Sequence, residues 1–164
     1  MVESQSDALT AAKKLIAKKY SSIDISQIKD SSIKVSLENT GGPSGGLIFT
    51  LGLIDLLTPQ DILAGRKIAG TGTIAADGAI GPIGGVTEKI LGAKKAGASI
   101  LFISQENCGE LPSQVSGISV IAVNTIDEVV DYLIGRPSGA LKGSLSSGKD
   151  LNSAGIHGCA SVGA

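Results

Sequence analysis

The chain has 164 residues, 42% of them hydrophobic and 18% charged, which suits one globular domain with a real hydrophobic core. Fourteen basic and fifteen acidic residues leave a net charge of −1, with two Phe, two Tyr and no Trp. That composition argues against a nucleic-acid-binding surface, basic or base-stacking.

The polar opening over residues 1–7 has no signal-peptide character. The longest apolar run, 47–57, is too short to cross a bilayer and carries Asp55, so the chain as given reads as soluble. Residues 7–20 predict an amphipathic helix, with Ala8, Ala11, Ala12, Leu15 and Ile16 on one face and Ser6 as N-cap. Residues 32–38 alternate strictly and predict a half-buried strand, followed by a Gly/Pro loop through Gly41, Gly42 and Pro43. Residues 44–57 are apolar nearly all round and predict a buried helix that stops at Thr58-Pro59, with a short turn over 60–64. Strands are expected over 67–73 and 79–83, joined by the Asp77-Gly78 turn. A helix over 87–96 ends at Gly97, strands follow over 99–103 and 119–123, and a last helix covers 126–134. Beyond Arg136 the composition turns to Gly, Ser and Pro, so 1–136 reads as the folded domain and 137–164 as a flexible tail. This order predicts an α+β fold, a mixed α/β sandwich whose hairpin argues against a purely parallel sheet.

Residue supply limits the chemistry. The only histidine is His157, in the tail, so a Ser–His–Asp triad, a Cys–His dyad or a catalytic zinc site would each lack partners. Cys108 and Cys159 form no metal-ligand spacing, and whether they pair stays open. No cofactor or metal is expected. The stretch Gly143 to Asp150 copies the start of a P-loop, but Asp150 stands where a Ser or Thr must hold magnesium. Gly70-Thr71-Gly72-Thr73-Ile74-Ala75 resembles a dinucleotide fingerprint, yet no helix is expected to start inside it; glycines in close backbone approach fit better.

Gly41-Gly42-Pro43-Ser44-Gly45-Gly46 is the third glycine-rich stretch, at the mouth of the apolar helix. A serine there lies beside unsatisfied N–H groups and the positive end of the helix dipole, where an oxyanion could be held. The plainer account is a loop with Ser44 as N-cap. A serine nucleophile without histidine needs another base, and a desolvated, neutral lysine can serve. Lys89 stands out, just after Gly84-Gly85 in a stretch of low charge; the plainer account pairs it with Glu88 or solvent.

Together the two stretches resemble the proteolytic domain of the Lon family. Gly42-Pro43-Ser44-Gly45-Gly46 is similar to the family's Gly-Pro-Ser-Ala-Gly nucleophile segment, with Gly45 for Ala, and Pro82-Ile83-Gly84-Gly85-Val86-Thr87-Glu88-Lys89 resembles the segment whose last lysine is the base. Thr71-Gly72 and Asp77-Gly78 resemble the strand pair between them, where a threonine supports the lysine. The resemblance covers roughly residues 30–135; Gly41 stands where many members carry Asp.

It implies a Lon-like fold resembling the second domain of a small-subunit ribosomal protein. It further implies a serine endopeptidase acting on unfolded or partly folded proteins, with Ser44 as nucleophile, Lys89 as base and Thr71 in support. Backbone N–H groups near Gly41 and Ser44 would form the oxyanion hole. The text from Gly41 to Phe49, with Leu56-Leu57-Thr58-Pro59, most resembles the ATP-independent bacterial branch in which a PDZ domain and a membrane anchor precede the Lon-like domain. The expectation is therefore a fragment starting at an added Met1, from an envelope-associated parent, with a homo-oligomeric ring as a family trait. The rival is a catalytically silent Lon-like module that binds peptides or serves as a scaffold.

Overall fold

The computed structural model describes residues 2–29, 32–33, 42–135 and 155–159. In chain order these hold α1 (Val2–Lys19), α2 (Gly46–Leu57), β1 (Ile68–Gly70), β2 (Thr73–Ile74), β3 (Ile80–Gly81), α3 (Val86–Lys95), β4 (Ile100–Ser104), β5 (Ser119–Val123), α4 (Ile126–Gly135) and β6 (Ile156–His157). Short 3-10 turns lie at Ile25–Gln27, Pro43–Gly45 and Gln105–Glu110. Most of the expected strand over 32–38 lies outside the described residues, as do Gly41 and the P-loop-like stretch at 143–150.

Strands β4 and β5 are apolar runs buried on both faces, the pattern of a sheet covered from two sides. They form the centre of a sheet ordered β1-β4-β5-β6, parallel at every pairing. Alternation sorts their side chains. Ile100, Phe102, Ile121 and Val123 join the core under α1, α2 and α4, while Leu101, Ile103, Val120 and Ala122 join a second core under α3. The result is a mixed α/β sandwich, helices on both faces of one sheet, as the residue pattern implies. Phe102 meets Tyr132 of α4 edge to face, with ring centroids 5.7 Å apart. The hairpin is a separate two-stranded sheet, β2 against β3, so the antiparallel pairing expected at Asp77-Gly78 exists beside the parallel sheet rather than within it.

Several boundaries differ for physical reasons. Helix α1 begins at Val2 and not after Ser6, because elongation costs little once the buried Ala8–Ile16 face has fixed the helix. The run over 67–73 divides in two: Ile68–Gly70 pairs with β4, then the chain leaves that sheet. The cause is the serine segment, whose Ser44 carbonyl accepts the Gly72 N–H at 2.8 Å while Gly72 O accepts the Leu47 N–H at 3.0 Å. No helix starts within Gly70–Ala75, which removes the geometry a dinucleotide would need. Within the region expected to be tail, Ile156–His157 adds an edge strand to β5, and Cys159 joins Cys108 in a disulfide with Cα atoms 5.7 Å apart.

Gly46, the first residue of α2, permits the close approach of helix and hairpin. A Cβ there would lie 2.9 Å from the Ile74 backbone nitrogen and 2.8 Å from Ile74 Cγ2. Gly46→Ala should therefore lower stability by about 1–3 kcal/mol. Gly52→Ala, on the same helix with open space around it, should be neutral or stabilising by up to about 1 kcal/mol. Thermal melts of the two variants decide this, and equal melting temperatures would contradict the packing account.

Candidate active site

Pro43 at the first position of its 3-10 turn fixes φ where the chain must turn into α2. Ser44 therefore sits one short turn ahead of the helix, and its side chain makes no capping bond. Its carbonyl is held twice, by the Gly72 N–H at 2.8 Å and by the Thr71 hydroxyl, which donates to it at 3.2 Å. Ser44 is half-buried, and among the described residues its Oγ has no hydrogen-bond partner. The backbone of the serine is thus clamped while its hydroxyl is unengaged. The Leu47 N–H, which would otherwise point out of the α2 N-terminus, is taken by Gly72 O. The Ser44 N–H, one of the two expected oxyanion donors, is at the N-terminal end of the 3-10 turn, where backbone N–H groups have no partner within the turn. Gly41, the other expected contributor, lies outside the described residues.

Thr71 is 4% exposed, with its N–H bonded to Phe102 O at 2.9 Å. Its one donor goes to the Ser44 carbonyl and not to a lysine. A hydroxyl keeps acceptor lone pairs, so receiving an N–H from an amine remains open to it.

Lys89 is in the first turn of α3, its N–H bonded to Gly85 O at 3.1 Å. Val86, Ile90 and Ala93 bury the inner face of that helix, which leaves Lys89 on the exposed side. Among the described residues its Nζ makes no ion pair, so the local pairing with Glu88 is not formed. No hydrogen bond joins Ser44 Oγ to Lys89 Nζ either. The structure brings Ser44 and Thr71 into contact and links them to Lys89 through the backbone: Thr73 pairs with Gly81, and the chain runs from Gly81 through Gly84-Gly85 into α3.

Sequence reasoning passed over Asn107. It is fully buried in the Gln105–Glu110 turn, where its carboxamide bonds both backbone groups of Ile83. The run Gln105 to Glu110 looks like surface, and nothing local marks one of its amides as internal. A groove between α3 and residues 112–116, lined by Thr87, Leu91, Lys94 and Gln114 among others, includes neither Ser44 nor Lys89.

A serine with a clamped backbone and an unengaged hydroxyl thus stands at the mouth of a buried helix in a mixed α/β domain, an arrangement compatible with a serine hydrolase. Residues 1–136 match the Lon protease (S16) C-terminal proteolytic domain, and the chain belongs to that family of serine peptidases. It is 38% identical over 96 residues to Lon protease 2 of Bacillus subtilis (strain 168), covering 58% of this chain and 17% of that one. Similarity to the Lon protease of Koribacter versatilis (strain Ellin345) is 40% over 99 residues, 57% of this chain and 12% of the other. The Lon protease of Xanthomonas oryzae pv. oryzae (strain KACC10331 / KXO85) is 32% identical over 143 residues, 84% of this chain and 17% of its own. The chain thus spans a small part, 12–17%, of the relatives it matches.

Proposed function

We propose that this domain is an ATP-independent serine endopeptidase that cleaves unfolded or partly folded proteins through an acyl-enzyme, with Ser44 as nucleophile and Lys89 as base. The observation that carries the proposal is the Ser44 turn, gripped through its carbonyl with its hydroxyl left for chemistry. Neutral Lys89 takes the Ser44 proton as Oγ attacks the substrate carbonyl carbon. The carbonyl electron pair moves onto oxygen and is met by N–H groups at Ser44 and Gly41. Collapse expels the amine, which receives the proton from Lys89 and leaves an ester on Ser44. Water, deprotonated by the same lysine, attacks the ester; the acyl C–Oγ bond breaks, Ser44 Oγ takes the proton back from Lys89, and the acid leaves. Thr71 supports both partners in this reading: it holds the serine segment through its donor and receives the lysine through its acceptor. Substrate lying over the first turn of α3 would strip water from the exposed lysine, and catalytic hydrogen bonds commonly tighten only in the complex.

The finer assignment follows the resemblance of the segments around Ser44 and Thr58: a bacterial, envelope-associated parent with a PDZ domain and a membrane anchor, and a homo-oligomeric ring. The Cys108–Cys159 disulfide supports an oxidising compartment outside the cytoplasm. Among the described residues no helix is long and apolar enough to cross a membrane. The folded domain extends over 1–136 in this reading, with residues 155–159 attached to it by the disulfide and β6.

The silent peptide-binding or scaffold module has one observation in its favour, the missing Ser44–Lys89 hydrogen bond. A fluorophosphonate probe separates the two readings. It should label Ser44 in the intact chain, with EDTA present and without nucleotide, and should leave Ser44→Ala unlabelled. Equal labelling of both proteins, or labelling that requires ATP and magnesium, would count against the proposal.

A further inference from the structure

Ile83 stands between the hairpin and α3, and both of its backbone groups are bonded to one side chain. The Asn107 Oδ1 accepts the Ile83 N–H at 3.0 Å, and Nδ2 donates to Ile83 O at 2.7 Å. A third bond, from Nδ2 to Glu110 Oε1 at 2.8 Å, fixes the carboxamide's orientation. The same N–H donor demands oxygen, not nitrogen, at Oδ1, so the amide cannot be turned round without losing both bonds. Asn107 is 0% exposed, and its three bonds engage both N–H donors and the oxygen of its carboxamide. A buried polar group arranged in this way acts on the loop as a neighbouring strand would.

The loop needs such a partner. Gly84 and Gly85 separate Ile83 from α3, and Gly85 adopts φ +72, so chain stiffness alone does not set how the helix leaves the hairpin. Lys89 then hangs from Gly85 by its own N–H. The turn that carries Asn107 is itself tied down, by the Gln105 side chain donating to Gly158 O at 3.1 Å and by the Cys108–Cys159 disulfide.

We propose that Asn107 is a positioning residue for Lys89: by gripping Ile83 it sets the entry of α3 and so the place of the amine relative to Ser44. This rests on the reading of Lys89 as the base. Asn107→Asp keeps the shape and the acceptor for the Ile83 N–H, but turns an oxygen toward the Ile83 carbonyl and the Glu110 carboxylate. It should lower kcat roughly tenfold to a hundredfold, as small displacements of a reacting group do. KM should stay within about twofold, because substrate binding is not the interaction lost. Glu110→Ala, at an exposed position, removes only the third bond and should lower kcat about two- to threefold, with KM again unchanged. In a Lys89→Ala background, Asn107→Asp should add no further loss to the residual rate of probe labelling, since residues acting through one group are not additive. Wild-type kcat in Asn107→Asp, or the same fold-loss with and without Lys89, would overturn the proposal. Should Asn107→Asp melt below the assay temperature, unchanged kcat in Glu110→Ala overturns it instead. Failure of the underlying reading looks different: Lys89→Ala alone would then turn over like wild type, and the positioning role would fall with it.

Discussion

Ser44→Ala should cut turnover of an unfolded protein substrate by roughly 10⁴- to 10⁶-fold, the loss seen when a serine nucleophile is removed. The fold should not notice. The Ser44 carbonyl, not its hydroxyl, carries the bonds to Gly72 and Thr71, and among the described residues no donor or acceptor loses a partner with Oγ. Its stability should stay within about 0.5 kcal/mol of wild type, as for substitutions that break no buried contact. Casein hydrolysis followed beside a thermal melt tests both halves. Turnover near wild type in a protein with an unchanged melt would remove Ser44 from the reaction.

Lys89→Arg should be about as damaging as Lys89→Ala, each lowering kcat/KM by roughly 10²- to 10⁴-fold, the range of a positioned general base. Arginine keeps the charge and can donate hydrogen bonds, but it stays protonated and cannot accept the serine proton. Because Lys89 is exposed and makes no ion pair among the described residues, neither change should lower the melting temperature appreciably. Near-normal activity in the arginine variant would make Lys89 an ordinary surface lysine and leave Ser44 without a base.

The sheet centre and the long helices could be read from residue pattern because their signals are local. Strand β5 is found at Ser119–Val123 as its apolar run suggests, and β4 and α3 differ from expectation by a residue at each end, within the fraying of such boundaries. Features set by distant partners were invisible. The β-branched run through Thr71 and Thr73 looks continuous, and only the Ser44 carbonyl, brought in from another segment, breaks it. Strand β6 is two residues in a Gly/Ser-rich region and has no pattern of its own; its partner, like that of Cys159, lies far back in the chain. The candidate site was legible only as two stretches in the right order, since Ser44 alone reads as a cap and Lys89 alone as a surface charge. Asn107 gave no signal at all, because burial of a single amide depends on what folds over it.

The all-parallel order β1-β4-β5-β6 has a consequence for how quickly the domain can form. Neighbours in such a sheet cannot be joined by tight turns, so each pairing closes a long crossover before any hydrogen bond rewards it. Among the described residues the only strand pair closed by a tight turn is β2 with β3, and it stands outside that sheet. Non-local topologies of this kind fold on the slower side for their size, roughly milliseconds to seconds, rather than in the microseconds of helical bundles. The rate is then governed by the meeting of distant segments and not by the propensity of any one strand, so substitutions on the hairpin should leave it largely untouched.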